Sequence, residues 1–480
     1  MRIASIYVFV FVAFVTLLSA TGSAADSAKQ APRTWLFVDD DHIATSSHIK
    51  RTLQQPRKLE KPLITGNGTW DSCPYLFGTV IFDRQDKIYK AWYMSYNFDQ
   101  PMPLRTPFMY ATSKDGRKWT RPNLGLFEFC GSKQNNIILQ NAGHHDAYSP
   151  SVVKDLKALD PARRYKMIFW DYCGPDAYHG GAGMMIAFSP DGINWRRHQE
   201  KPVLLVAEKE QSISDVMDLM IDPADGKYVA YTKGWADPFP HHRQIVRTQS
   251  SDFINWSTPQ VVLRHANTVA DTESYGMTVF AHEGMYFGLL RVYHSKSGET
   301  IDIQLTSSRD GKAWNRVADQ ATFIPTGADG DWDDGMIFTS APVIRDDVME
   351  FYYSGWDGDH ASDSRLSGIG LATLPRDRFV AVAASAGTGR LRTTPQKLSS
   401  TALTLNADAR QGKIRVSLLD ADAKPLPGFA LENCDPINGD SLRHRLSWQG
   451  KSAPRAFVGK KVSLLLEITG KARVFAFSND

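Results

Sequence analysis

The 480-residue chain has only four cysteines, Cys73, Cys130, Cys173 and Cys434, and their spacing matches no metal-ligand pattern. A chain this long buries a core without covalent staples, so no disulfide is expected. Neither sign of charge dominates: 55 Lys and Arg face 52 Asp and Glu, for a net charge of +3. That balance excludes a nucleic-acid binder that works through a basic surface. Charged residues make up 22% and hydrophobic ones 42%, which excludes a disordered chain. Past the N-terminus there is no apolar run of about 20 residues, so a polytopic membrane protein is excluded too. What the chain does have is aromatics and turn formers: 12 Trp, 17 Tyr, 24 Phe, 35 Gly and 25 Pro. That composition is β-rich.

The N-terminus carries an address. Met1-Arg2 is followed by an apolar stretch from Ile6 to Leu18 and by small residues through Gly22-Ser23-Ala24-Ala25. This is the layout of a signal peptide over residues 1–25, cleaved near Ala24 or Ala25. A membrane anchor needs a longer span. The mature chain is therefore expected to be secreted or periplasmic, outside the membrane and monomeric.

One unit recurs. Ala111-Thr-Ser-Lys-Asp-Gly-Arg-Lys-Trp119, Ala187-Phe-Ser-Pro-Asp-Gly-Ile-Asn-Trp195, Thr248-Gln-Ser-Ser-Asp-Phe-Ile-Asn-Trp256 and Thr306-Ser-Ser-Arg-Asp-Gly-Lys-Ala-Trp314 share Ser-x-Asp-Gly-x-x-Trp. Phe253 replaces Gly in the third copy, and Gly370 to Phe379 is a degenerate fifth. Asp bonds its own backbone in such turns and Gly takes the φ > 0 position, so these aspartates are read as turn formers. A strand pair precedes each turn, for example Thr79–Asp83 with Ile88–Tyr93, and Pro342–Arg345 with Met349–Tyr353. Each copy is then one blade of three or four antiparallel strands. The reading is all-β: a five-bladed β-propeller over residues 33–383, followed by a small β-sandwich over residues 388–480.

In a propeller the first strand of each blade lines the central channel, so residues at its start converge from distant parts of the sequence. Reading back from each first strand gives Asp71, Asp146, Asp215 with Asp218, Glu273, and Asp333 with Asp334. A ring of acids is costly because like charges raise one another's pKa, and it suits glycosidic bond cleavage by paired carboxyls. Asp71, Asp146, Asp215 and Glu273 are the catalytic candidates. Trp70, Trp92, His145, Tyr148, Tyr275 and Asp334 are candidates for holding a sugar. Arg291 is a candidate for a substrate carboxylate, with a surface salt bridge as the alternative. His144-His145 and His241-His242 put adjacent side chains on opposite faces, so no metal centre is expected. No cofactor is expected either, and a structural cation has no ligand cluster to indicate it.

Five such blades with acids on the inner strands and a trailing sandwich resemble the secreted glycosidases of glycoside hydrolase families 32, 43 and 68. The segment Tyr110 to Trp119 looks like their blade turns. The resemblance implies an Asp base or nucleophile, an Asp modulator and a Glu acid from blades one to three. Asp71 and Asp146 match the first two roles. Blade three offers Asp215 or Asp218 where Glu is expected, and the invertase-type Asn-Asp-Pro-Asn-Gly signature is missing. Glu273 of blade four or Asp215 is left as the acid. The expected function is a secreted glycoside hydrolase acting on a poly- or oligosaccharide. A non-catalytic carbohydrate-binding or cell-surface propeller is the alternative, followed by a sialidase.

Overall fold

The computed structural model describes residues 34–174, 181–206, 212–236, 239–264, 271–362 and 365–479; the side chains of residues 236 and 239–241 are outside it. The expected signal peptide lies outside the described residues. Among the described residues helix is confined to short 3-10 turns, and none is long and apolar enough to cross a membrane.

Five antiparallel units surround one axis, each led by an inner strand. These strands are Pro74–Asp83, Tyr148–Lys154, Ser212–Ile221, Thr272–His282, and the pair Met336–Thr339 and Val343–Arg345. The second strands are Ile88–Ser95, Tyr165–Tyr172, Tyr228–Ala236, Met285–His294 and Val348–Trp356. Alternation along them builds the interfaces between blades. Tyr89, Ala91 and Tyr93 enter the cluster shared with blade five, whereas Trp92 and Met94 enter the one shared with blade two.

A belt of hydroxyls joins the inner strands around the axis. Thr79 accepts from the Val152 amide, and Ser151 accepts from the Leu219 amide, both at 2.9 Å. The Thr278 hydroxyl lies 2.7 Å from Asp218 and 2.9 Å from the Thr339 carbonyl. Ser340 accepts from the Val80 amide at 2.9 Å, which closes the circle.

The repeated turns behave as read. In all four, Asp Oδ1 accepts the next two amides but one, at 2.8 Å, and the preceding Ser Oγ accepts the amide of the φ > 0 residue at 2.9 Å. That residue is Gly116, Gly192, Phe253 or Gly311, and Asp377 holds φ 67° in the degenerate fifth copy.

The domain boundaries need correction at both ends. Arg57–Lys58 and Ile64–Thr65 pair with Ser367–Pro375 as the outer strand of blade five, so the N-terminal segment closes the ring. Upstream of them, Thr34–Leu36 pairs with Arg473–Asn479, Ile43–Ser47 with Thr388–Thr393, and Ile49–Leu53 with Val380–Ala384. Residues 34–53 and 380–384 therefore belong to the sandwich. Its core holds Trp35, Phe37, Trp448 and Phe477, with Trp35 stacked on Phe477 at 4.7 Å. Leu36 and Val38 on the sandwich side join Phe280 and Phe379 of the propeller in one further cluster.

Candidate active site

Antiparallel pairing puts the end of each second strand beside the start of the first. Tyr75 faces Met94, Ser212 faces Trp235 and Glu273 faces Tyr293. One face of the channel is therefore built from two sets of residues, and the inner-strand acids are only one of them.

Three of the expected carboxylates meet there, each held by a cation: Arg105 from the loop after a second strand, Lys233 from a second strand and Arg243 from a third. Asp146 takes a short hydrogen bond from the Tyr96 hydroxyl, with Tyr148 Oη at 3.4 Å and Arg105 Nε at 3.4 Å. Asp215 receives Lys233 Nζ at 2.6 Å and Ser214 Oγ at 2.8 Å, and its carbonyl accepts from Ser149 Oγ at 2.8 Å. Glu273 Oε2 accepts from the Arg243 amide at 3.0 Å and from Nη1 at 2.9 Å. Its Oε1 has no hydrogen bond among the described residues.

Tyr275 links the sectors. Lys233 Nζ lies 4.5 Å and Arg243 Cζ 5.3 Å from its ring centroid, and its hydroxyl sits 2.9 Å from His360 Nε2. Burial raises the Asp215 pKa, but the Lys233 ammonium and hydrogen bonds outweigh it and hold the carboxyl below its ordinary range. The His360 imidazole is pushed down to about 4, first by burial and then by Arg243, Lys233 and Arg365. It is neutral at neutral pH.

Asp71 departs from expectation. Its side chain is fully buried behind the mouth, bonded by Tyr93 Oη at 2.8 Å and Arg121 Nε at 2.7 Å. The loop forces this, because Asn67 Oδ1 accepts the Asp71 amide while Asn97 grips the Trp70 carbonyl and the Ser72 amide. Burial raises the Asp71 pKa against the pull of Arg121. It is a buried ion pair supporting blade one, with its Oδ1 buried and left without a hydrogen-bond partner.

Other assignments are also corrected. Trp92 is fully buried and donates Nε1 to the Gly192 carbonyl at 2.6 Å, so no sugar can stack on it. Trp70 is half-buried, its indole Nε1 bound to Asn136 Oδ1 at 2.7 Å. Arg291, 1% exposed, is neither a surface salt bridge nor a ligand for substrate: it grips Asp218 at 2.7 and 3.1 Å deep in the channel. Asp334 accepts the Gly330 amide at 2.8 Å within a turn, and Asp333 is buried against Lys58 and Tyr353. Tyr148 and Tyr275 do stand at the mouth, and His145 packs beside it with its ring 4.7 Å from that of Tyr172. His241 lies outside the described side chains. The four cysteines are free, Cys73 buried close under the mouth.

Tyr96, Arg105, Lys233, Arg243, His360 and Arg365 were not expected. The signal that finds five of them is antiparallel geometry, which places the end of any second strand, or the loop beyond it, on the same face. Arg243 comes from a third strand and carries no local pattern.

A cavity of about 760 Å³ opens at the other end of the channel between residues such as Ile81, Val153, Leu219, Phe280 and Ile344. Asp83 there is consumed by Lys90, Lys154 and Tyr165, so the chemistry favours the acid-bearing mouth. On the sandwich side, His282, Glu283 and Asp377 lie close enough to share an ion, but His282 bonds Asp377 at 2.6 Å and Arg376 lies against both acids.

No protein-family model and no curated protein matches the chain. Solved structures similar to it include an N-acetylgalactosamine deacetylase from F. plautii in complex with blood group B trisaccharide, at 16% identity and a TM-score of 0.44, covering 72% of this chain and 95% of that one. A fructofuranosidase from Schwanniomyces occidentalis complexed with fructosylnystose is similar at 11% identity and TM-score 0.45, over 90% and 99% of the two chains. A family 43 arabinoxylan arabinofuranohydrolase from Bacillus subtilis, in complex with cellotetraose, is similar at 11% identity and TM-score 0.41, over 87% and 99%.

Proposed function

We propose that the protein is an exported glycoside hydrolase whose reaction takes place at the acid-bearing mouth of the propeller, on a poly- or oligosaccharide. The observation that carries this reading is the meeting of Asp146, Asp215 and Glu273 from three consecutive blades around the rings of Tyr148 and Tyr275. Export rests on the N-terminal leader alone.

The roles follow from the surroundings of each acid. Asp215, held ionised by Lys233, is the base or nucleophile. Among the described residues nothing bonds Glu273 Oε1 while Arg243 fixes Oε2, which leaves one oxygen to carry a proton to the leaving group. In hydrolysis the glycosidic C–O bond breaks, Glu273 protonates the departing oxygen, and water adds at the sugar carbon as Asp215 takes its proton or is itself displaced. Asp146, bonded by Tyr96 and Tyr148, positions the sugar beside them.

The test is sugar release from mixed plant, algal and bacterial polysaccharides by the mature protein and its variants. Asp215→Asn and Glu273→Gln are each expected to lower the rate by at least 100-fold, within the range for acid–base groups. Asp146→Asn should cost less and raise KM. Release that survives both Asp215→Asn and Glu273→Gln overturns the site. Saturable glycan binding without release supports the non-catalytic propeller, a reading the ion pair on each acid also accommodates.

A further inference from the structure

Given the proposed glycosidase site, which this step deepens, we propose that the mouth binds an oxyanion, a carboxylate, sulfate or phosphate, between Arg365, Lys233 and Arg243 beside His360. Three observations carry it. First, Arg365 has no carboxylate partner among the described residues. Its guanidinium lies 4.3 Å from the Trp356 ring centroid, Nη2 donates to the His360 carbonyl at 2.6 Å, and Nε is buried with no hydrogen-bond acceptor. A guanidinium stacked on an indole with an unused donor edge is arranged to receive a planar or tetrahedral oxyanion bidentately.

Second, Arg243 is used on one side only. Its amide and Nη1 serve Glu273, its Nε is buried without a partner, and its plane lies over the rings of Tyr275 and Tyr293 at 5.3 and 4.9 Å. Aromatic packing keeps the guanidinium extended, so little side-chain entropy is lost when a ligand binds.

Third, the cations converge on a neutral group. Lys233, Arg243 and Arg365 all act on His360, which is uncharged at neutral pH and hydrogen-bonded by Tyr275. Among the described residues the carboxylates in this corner, Asp215 and Glu273, match Lys233 and Arg243 one to one, and Asp357 on the same loop is exposed with Oδ1 taken by the Leu366 amide. With a purely neutral sugar, no described residue is a counter-ion for Arg365. An acidic sugar brings one, and so does a free inorganic anion that sits beside the sugar.

The experiment follows the His360 imidazole by NMR during pH titration, with a His360→Gln variant to assign the signal. Galacturonate, galactose 6-sulfate, galactose and sodium phosphate are added separately to the full-length mature protein. An anion bound beside His360 should raise its pKa by about one unit, the effect expected of an opposite charge within a few ångströms. A shift with galacturonate or galactose 6-sulfate but not with phosphate places the anion on the sugar; a shift with phosphate makes it a free anion. In either case Arg365→Gln should weaken binding about tenfold and Arg365→Lys less, at unchanged melting temperature. The proposal is overturned if no anion moves His360, or if Arg365→Gln and wild type bind every probe equally. Because binding is read directly, an inactive protein that still shows the shift refutes the hydrolase reading and leaves the oxyanion site standing.

Discussion

Phe253 occupies the left-handed turn position, φ 70°, that its repeat partners give to Gly116, Gly192 and Gly311. The glycines are required by neighbours: a Cβ there would approach Tyr352 Oη at 2.4 Å, Trp92 Cζ2 at 2.7 Å or Tyr231 Oη at 2.8 Å. Each of these aromatics comes from the preceding blade and donates to the turn carbonyl. Before Phe253 the equivalent residue is Ile168, which belongs to the same buried cluster, and the Phe253 ring fills the room a Trp or Tyr would take. Phe253→Gly should lose about 3 kcal/mol of core packing, offset in part by ~1–2 kcal/mol of relieved backbone strain. Ile168→Trp alone should clash with that ring. The double variant should be more stable than the sum of the single changes allows, by about 1–3 kcal/mol of coupling. Urea unfolding of the four proteins measures this, and strict additivity sinks the argument. The sequence marks Phe253 as an exception, but its cause lies 85 positions away, in a residue that no local pattern distinguishes.

At the scale of elements, a carboxylate after one blade's inner strand catches a tyrosine at the start of the next blade's second strand. Asp83 takes Tyr165 Oη at 2.9 Å, Asp155 takes Tyr228 at 2.6 Å and Asp222 takes Tyr286 at 2.5 Å, while between blades five and one Tyr89 bonds Glu350 at 2.7 Å. Asp83 is the most heavily loaded, since Lys90 and Lys154 each reach it at 2.8 Å. Burial works to raise its pKa, but those hydrogen bonds win and hold it far below the ordinary range. A group whose folded pKa is depressed stabilises the fold fully above the unfolded value, about pH 4, and loses that contribution as pH falls toward the folded value. Wild-type stability should therefore fall between about pH 5 and pH 2, and Asp83→Asn should show a smaller fall. The variant should also be destabilised at pH 7 by on the order of 3 kcal/mol, because Lys154 is left without its counter-ion and Lys90 keeps only Asp86. Equal pH slopes in the two proteins refute the assignment. The hairpins that carry these latches are legible in the sequence as strand pairs. The partner of each acid is not, because it sits one blade away at a spacing that loop length changes.

The same limit explains what the sequence conceals about the whole molecule. Repeats reveal the blades and alternation reveals the sandwich strands, but nothing in residues 34–53 says that they pair with strands more than 300 positions downstream. Local order suggests a propeller ending near residue 383 with a separate sandwich after it. Instead the chain starts in the sandwich, closes blade five with Arg57–Lys58 and Ile64–Thr65, runs round the ring, and returns to pair Arg473–Asn479 with Thr34–Leu36. Across the joint, Arg378 reaches Asn406 at 2.9 Å and Asp440 at 2.5 Å, and Asn406 Nδ2 donates to the Arg376 carbonyl at 2.9 Å. A chain cut after Ala384 keeps every propeller strand but leaves Thr34–Leu36 and Ile43–Ser47 without partners. It also exposes Trp35 and Phe37, each worth about 1.5–3 kcal/mol when buried. Two unpaired edges beside exposed aromatics invite association between molecules. Residues 34–384 should therefore run as soluble aggregate in size-exclusion chromatography, bind a hydrophobic dye and melt well below the full chain. Supplying residues 385–480 as a separate polypeptide should restore a compact heterodimer, because the missing strands then return to both edges. A monomeric 34–384 fragment that melts with the full chain would show instead that the propeller is closed without its sandwich.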